Sequence, residues 1–185
     1  NIAYDTTGPG TAGLRTADSR DMFNGAPDRY DWKLLGKQTL HVPYNCYRLA
    51  SPELRYADLI KPGHIDPAPT RYELHRVWVV EATLKPGAQH IYAKRRFYLD
   101  EDTWAILETD SYDARGELWR TSQAHGFFHP GGQVAVNAME ITYDLKSGRY
   151  HASGLINEQR RPFAFNVRTS LSCFSPGALR SFGVR

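Results

Sequence analysis

The sequence predicts a mainly β protein, built as a curved antiparallel meander of long strands with little helix. Three observations carry this prediction. From Arg71 to Asn157, strand-like runs rich in β-branched and aromatic residues are separated by short turn-forming segments. These segments, KPGAQ, ED, ARG, HPGGQ and KSG, can join only antiparallel neighbours, because a parallel crossover needs a dozen or more residues. No long segment repeats its apolar residues with the 3.6-residue period of a helix.

The chain before the meander is predicted to be less regular. Residues 1–36 are expected to form an extended arm rich in glycine and proline, with TTGPGTAG and NGAPD as turn formers. The antiparallel sheet domain is expected over residues 37–185. Its first run, Lys37 to Leu49, contains Pro43, which cannot donate a ladder hydrogen bond and so indicates an edge strand or a bulge. A proline-rich loop, KPGHIDPAPT, follows.

Six strands are predicted in the meander: Arg71 to Leu84, His90 to Asp100, Thr103 to Asp113, Glu117 to Phe128, Val134 to Leu145 and Arg149 to Asn157. Runs of this length exceed the usual five or six residues, and long strands twist strongly, so the sheet is expected to curl. FAFNV at 163–167 is predicted as one more short strand. Ser175 as a cap and Pro176 in the first turn predict a short helix near the end of the chain.

Alternation along a strand sends successive side chains to opposite faces of the sheet. The predicted core face carries Trp78, Val80, Ala82 and Leu84 of one strand and Phe97 and Leu99 of the next. The opposite side of the first strand carries Val77, Val79, Glu81 and Thr83. On the second strand, the side with Tyr92, Lys94, Arg96 and Tyr98 is predicted to be solvated.

Polar residues interrupt the sheet faces, and two interpretations stay open. In the first, Glu81, Arg95, Glu108 and Arg120 form cross-strand ion pairs and the apolar residues fill an ordinary core. In the second, these four residues are a polar patch on a concave face that holds an amphipathic ligand. The ligand-binding wall would then consist of Trp78, Val80, Leu84, Phe97, Trp104, Ile106 and Trp119.

Charge and composition exclude several classes of protein. The 23 Lys and Arg residues are dispersed among 20 Asp and Glu residues, for a net charge of +3, so nucleic-acid binding is not predicted. No run approaches the roughly 20 apolar residues of a membrane-spanning helix. Cys46 and Cys173 are too few for a disulfide framework, so two buried free thiols are expected, with one long-range disulfide as the alternative.

No motif assigns catalytic chemistry. None of the seven histidines has the HExxH spacing or a comparable metal-binding pattern, and no nucleophile elbow or phosphate-binding loop is present in the sequence. Glu81 could pair with Glu108 or Asp110 as acid and base, but structural ion pairing is favoured. We therefore predict no enzyme activity, no metal site and no cofactor.

The segments RYELHRVWVVEATL, HIYAKRRFYLDEDTW, YDARGELWR and YDLKSGRYHASGL resemble a family of uncharacterised Gram-negative envelope proteins, domain of unknown function 1329. TAGLRTADSRDMFNGAPDRYDWKLLGK and VPYNCYRL are similar to it too. The resemblance implies that the chain is the C-terminal part of a larger secreted protein related to the lipoprotein carriers LolA and LolB. It thus implies a half-open antiparallel barrel with a hydrophobic cavity.

The resemblance also implies a function. It points to a protein of the periplasm, or of the periplasmic face of the outer membrane, that holds an acyl chain, a lipid or a lipoprotein. The alternative is a non-enzymatic structural or adaptor protein that docks to an exporter or to an outer-membrane barrel. An exposed sheet edge would favour the alternative, because an unpaired strand is a template for another chain.

Overall fold

A computed structural model describes residues 3–8 and 10–182. Residues 1, 2 and 9 of the predicted arm, and residues 183–185, lie outside this range. Nine strands lie within it: β1 Tyr30–Pro43, β2 Ile60–Lys61, β3 His64–Ile65, β4 Tyr72–Leu84, β5 Lys94–Asp100, β6 Ile106–Tyr112, β7 Leu118–His129, β8 Val134–Asp144 and β9 Arg149–Ser153. Seven form one antiparallel sheet in the order β1-β4-β5-β6-β7-β8-β9, and β2 pairs with β3. The predicted six-stranded meander is confirmed as β4 to β9.

The helices are short. They are the 3-10 turns Ala17–Ser19, Pro27–Arg29 and Leu171–Phe174, and the α-helices α1 (Tyr56–Leu59) and α2 (Pro176–Phe182). The helix α2 confirms the helix predicted near the end of the chain, and Ser175 Oγ accepts a hydrogen bond from the Ala178 amide as the expected cap. Among the described residues, no helix combines the length and apolar character required to cross a bilayer.

The strand β1 starts seven residues before the predicted start at Lys37, inside the predicted arm. Its alternation is hard to read from the sequence because the ladder with β4 slips by one residue between Leu34 and Gly36, and Gly36 has a φ of +111°. Pro43 is the last residue of β1, which is an edge strand as predicted.

Other predicted boundaries were wrong. Residues 163–167 form no strand, because the rings of Phe163 and Phe165 pack against His129 with centroids 5.7 and 4.4 Å away while the backbone joins no ladder. The strand β9 ends at Ser153, where Gly154 turns the chain with a φ of +77°.

The sheet curls about one face, which we call the inner face; it carries Val77, Val79, Tyr98, Glu108, Gln123 and Ile141. Val42 at the end of β1 packs in one cluster with Leu107 of β6, although β4 and β5 lie between these strands. Just after β1, the amide of Cys46 donates to the carbonyl of Gly126 in β7 at 2.9 Å. The curl brings the end of β1 close to β6 and β7 but leaves the sheet open, in agreement with the half-open form that was predicted.

Both faces of the sheet are covered, so the prediction of one core face and one solvated face was wrong. Val77 and Val79, on the side opposite the predicted core face, are buried in the inner face, and Tyr92, predicted as solvated, is buried as well. The inner face is covered by residues 44–65, and the outer face by part of residues 3–29. The packing of these segments over the sheet depends on contacts between residues far apart in the sequence. Alternation along a single strand cannot predict such contacts.

Candidate functional site

Most of the predicted ligand-binding wall lies together on the outer face. Val80, Phe97 and Ile106 line an apolar recess of about 90 Å³, with Phe23, Trp32 and Leu99 as the other lining residues. Trp78 and Trp104 stack farther along this face, with ring centroids 6.5 Å apart. Leu84 packs at the margin of the same cluster.

Trp119 lies apart from the other predicted wall residues. The β6–β7 ladder slips between Ser111 and Tyr112, and Trp119 lies opposite this slip. Its Nε1 donates to Asp144 at 3.0 Å, and its ring meets that of Tyr92 edge-on. The structure therefore brings six of the seven predicted residues into one region.

The side chains that line the apolar recess on the outer face pack against one another and leave little free space. The ring of Phe97 stacks on Trp32 at 5.8 Å and meets Phe23 edge-on at 5.3 Å. A volume of about 90 Å³ is also far below the roughly 300 to 1,000 Å³ of small-molecule sites. Phe97 packs here as a core residue. Trp104 is 65% exposed, so the margin of the region presents apolar surface.

The predicted polar patch is divided between the two faces. The ladder pairs Glu81 with Arg96 and Arg95 with Ala82, so Glu81 and Glu108 lie on the inner face and Arg95 and Arg120 on the outer face. The interpretation that these four residues form cross-strand pairs with one another was therefore wrong; between Glu81 and Arg95 the register differs from the expected pairing by one residue. Glu81 instead accepts a hydrogen bond from Arg96 at 2.8 Å.

Arg95 is the centre of a buried ion pair on the outer face. It is 1% exposed, and its Nη2 donates to both carboxylate oxygens of Asp18 at 2.8 Å. Burial by itself would raise the pKa of Asp18, but a hydrogen bond with His90 and the charge of Arg95 outweigh it and lower the pKa to about 2. The pair clamps the N-terminal segment onto the sheet.

Arg120 fixes the same segment farther along the outer face. Its Nη1 donates to the carbonyl of Leu14 at 3.0 Å and to Tyr92 Oη at 2.9 Å, and its Nε donates to Asp144 at 3.0 Å. These donors are all engaged within the protein. Arg95 and Arg120 therefore support the fold from positions where little solvent reaches them.

The inner face contains a polar network around Glu108. Gln123 Nε2 donates to Glu108 at 2.9 Å, and Tyr72 Oη donates to Gln123 Oε1 at 3.0 Å. Burial, with a smaller contribution from the charge of Asp110, raises the pKa of Glu108 to about 7, although the bond from Gln123 opposes this. Glu108 can therefore change charge near neutral pH.

Cys46 and His125 form a neutral pair beneath this network. Cys46 Sγ lies 3.8 Å from His125 Nδ1, and both side chains are buried. Burial raises the pKa of the Cys46 thiol to about 11 and lowers the pKa of His125 to about 4, so neither group is charged at neutral pH. Both cysteines are free thiols, and Cys173 is exposed, which corrects the expectation that both are buried.

A larger apolar groove of about 620 Å³ lies beside β9, where sequence reasoning placed no site. The lining residues are Ala12, Leu14, Tyr56, Ile60, Lys61, Pro62, Gly63, Gly148, Arg149, Tyr150, His151, Ala152 and Leu155. We call this the β9 groove. Tyr150 Oη donates to the carbonyl of Lys61 at 2.8 Å and so ties the β2–β3 hairpin to the sheet.

Two cations belong to the β9 groove. Within the described part of the chain, neither Lys61 nor Arg149 lies within ion-pair distance of a carboxylate. The groove therefore combines apolar walls with two basic side chains, neither of which forms an ion pair with a carboxylate of the described residues. Because its residues come from three separate stretches, 12–14, 56–63 and 148–155, no periodicity in the sequence could have identified it.

These features define a half-open antiparallel sheet protein with an apolar groove at one edge strand. The chain belongs to the family described as Protein of unknown function (DUF1329), whose model matches residues 1–180. An uncharacterised Pseudomonas aeruginosa protein is 56% identical over 186 residues, which cover 100% of this chain and 40% of that protein. The chain thus spans about two fifths of the length of this relative.

Solved structures share the fold at low sequence identity. A Vibrio parahaemolyticus domain, provisionally described as an outer membrane lipoprotein-sorting protein domain, has a TM-score of 0.53 at 15% identity, over 97% of this chain and 60% of that one. A DUF1329 family protein from Desulfovibrio piger has a TM-score of 0.45 at 17% identity, over 82% of this chain and 48% of that one. The family resemblance and the predicted fold class are confirmed.

Proposed function

We propose that this chain is part of a non-enzymatic envelope protein that binds a hydrophobic ligand with an acyl chain, in the β9 groove. The observation that carries the proposal is the groove itself. Its volume of about 620 Å³ lies within the range of small-molecule sites, and most of its lining is apolar. A fold shared with a lipoprotein-sorting domain supports the periplasm, or the periplasmic face of the outer membrane, as its location.

The walls and the cations would have separate roles. Each buried methylene contributes about 0.8 kcal/mol, so roughly ten of them contribute about 8 kcal/mol. Lost freedom on association offsets at least about 4 kcal/mol of this, which leaves a weak complex that can release its ligand. Lys61 and Arg149 would bind an anionic head group, since carboxylates and phosphates pair with such side chains.

A second candidate function is docking to an exporter or an outer-membrane barrel. It is favoured by β1, because the edge of β1 that faces away from β4 has no strand partner in the described residues. Trp32, Leu34 and Leu35 of this strand are exposed apolar residues, and the stacked pair of Trp78 and Trp104 lies beside them. A strand of another protein could extend the sheet along this edge.

Fluorescent fatty-acid titration tests the first candidate. Ile60→Glu places a charge in the β9 groove, whereas Leu34→Glu is a matched control, because both residues are exposed but Leu34 lies on β1. Loss of binding in Ile60→Glu alone supports the groove. Loss in Leu34→Glu or Trp104→Ala would instead support the predicted wall on the outer face.

Native mass spectrometry with lipid extraction completes this test. A defined lipid that co-purifies with the unmodified protein and is lost in Ile60→Glu supports the carrier proposal. Absence of both fatty-acid uptake and co-purified lipid would refute it and leave docking through β1 as the better explanation.

A further inference from the structure

One imidazole and two carboxylates meet where β5 ends, outside the β9 groove. They belong to His75 on β4, Asp100 at the end of β5 and Asp102 in the turn that follows. Each offers one nitrogen or oxygen atom, and these atoms all lie within 4.8 Å of one another. Asp100 is buried and Asp102 is exposed, so the cluster extends from the protein interior to the solvent.

The carboxylate of Asp100 has one satisfied oxygen and one unsatisfied oxygen. Its Oδ2 accepts hydrogen bonds from Tyr44 Oη at 3.1 Å, from the Thr103 amide at 3.1 Å and from Thr103 Oγ1 at 2.7 Å. Its Oδ1 is inaccessible to solvent and has no hydrogen-bond partner among the described residues. It lies 3.6 Å from His75 Nδ1. A buried carboxylate oxygen without a partner is costly, so a cation here would stabilise it.

The charge around the cluster is negative. In the part of the chain that the structure describes, no Lys or Arg side chain forms an ion pair with Asp100 or Asp102. The nearby Lys37 and Arg76 both pair with Glu101 instead, at 2.7 and 2.6 Å. Among the residues that the structure describes, the two carboxylates of the cluster therefore have no Lys or Arg partner.

His75 is oriented as a metal ligand would be. Its Nε2 lies 3.4 Å from Glu73 Oε2, and the ring of Tyr44 stacks on the imidazole at 3.8 Å. In the tautomer that carries its proton on Nε2, facing Glu73, Nδ1 is unprotonated, and it lies 3.6 Å from Asp100 Oδ1. Carboxylates orient metal-binding histidines in this way, through the nitrogen that does not bind the metal.

We propose that His75, Asp100 and Asp102 form a binding site for a divalent transition-metal cation, of which Zn²⁺ fits best. A mixed set of imidazole and carboxylate ligands suits Zn²⁺, whereas Ca²⁺ prefers six to eight oxygens. Zn²⁺ bonds of about 2.0 to 2.2 Å place tetrahedral ligands about 3.4 Å apart, and the ligand atoms of this cluster, within 4.8 Å of one another, could reach that spacing by small side-chain movements. Water would complete the coordination.

Isothermal titration of the EDTA-treated 185-residue chain with ZnCl₂ tests the proposal. We expect one Zn²⁺ per chain, an affinity at least tenfold lower in Asp102→Asn, and no specific binding in His75→Gln. Glu73→Gln should weaken binding about 10- to 100-fold by releasing the orientation of the imidazole. His41→Gln, which changes an exposed histidine of β1, is the matched control and should bind normally.

Two results would overturn the proposal. One is the absence of stoichiometric Zn²⁺ binding, which would leave the contacts of His75 with Glu73 and Asp100 as the only account of the cluster among the described residues. The other is binding that Asp102→Asn and His75→Gln leave unchanged, which would assign the metal to surface histidines. Because Asp102 is exposed, its variant should keep the native circular dichroism spectrum even if the His75 variant unfolds.

Discussion

Glu108→Gln should change how the stability of this protein depends on pH. The carboxyl of Glu108 has its pKa raised from 4.5 to about 7, mainly by burial. Between these values the folded protein keeps a proton on Glu108 that the unfolded chain releases. The free energy of unfolding must therefore fall as pH rises from 4.5 to 7. Glutamine avoids this loss, because it is neutral and its oxygen can still accept the bond from Gln123.

The magnitude follows from the pKa. At about 1.36 kcal/mol per pKa unit, the change from 4.5 to about 7 corresponds to at most about 3 kcal/mol. Partial solvent access to Glu108 reduces this to about 1 to 2 kcal/mol. We expect the free energy of unfolding of Glu108→Gln to be higher than that of the original protein by this amount at pH 8. At pH 5 the difference should be much smaller.

Urea denaturation followed by circular dichroism at pH 5, 6, 7 and 8 measures this difference. His125 imposes an opposite slope between pH 4 and 6.5, since burial lowers its pKa, but it does so in both proteins and cancels. Glu117→Gln, at an exposed position, is the control and should shift stability by less than about 0.5 kcal/mol. A difference between Glu108→Gln and the original protein that stays constant from pH 5 to 8 would refute the reasoning.

Three further predictions concern the buried ion pair, the inner core and helix α2. Asp18→Asn should cost about 3 to 5 kcal/mol in urea denaturation, because it leaves Arg95 buried without its partner; a loss below 1 kcal/mol would contradict the clamp. The stability from Asp18 is fully present above pH 3.8 and should be lost as pH falls through about 2, which acid denaturation would show. Ile141→Ala should cost about 2 to 5 kcal/mol in the inner core, whereas Leu179→Ser on the exposed helix α2 should leave the melting temperature unchanged.

The sequence allowed the meander to be predicted because each of its strands is marked locally. Turn segments such as KSG and ARG stand between runs with strand propensity, and β4 to β9 follow them. The strand β1 was only partly predicted, since the slip in its ladder near Leu35 interrupts the alternation. The local sequence is thus sufficient to predict most strands, but a single bulge that interrupts the alternation can obscure a strand.

The faces and the sites could not be predicted, since they depend on long-range contacts. Arg95 and Asp18 are 77 positions apart, and nothing near either residue indicates the ion pair. A register difference of one residue placed Glu81 opposite Arg96 instead of Arg95. His75 and Asp100 are likewise separated along the chain without a recognised metal spacing, although the curled sheet brings them together.

The ladder slip in β1 also bears on which strands could add to its open edge. Leu35 has no opposite residue in β4, so this strand of 14 residues is divided into Tyr30–Leu34 and Gly36–Pro43. A regular strand can pair with only one of the two parts, because beyond the irregularity its hydrogen-bonding groups are no longer in register with those of β1. Nonspecific pairing between the β1 edges of two copies of this chain would thus be short-lived. A partner strand with a matching bulge could instead pair along the whole length of β1. Selectivity at this edge would reside in backbone shape as much as in side chains.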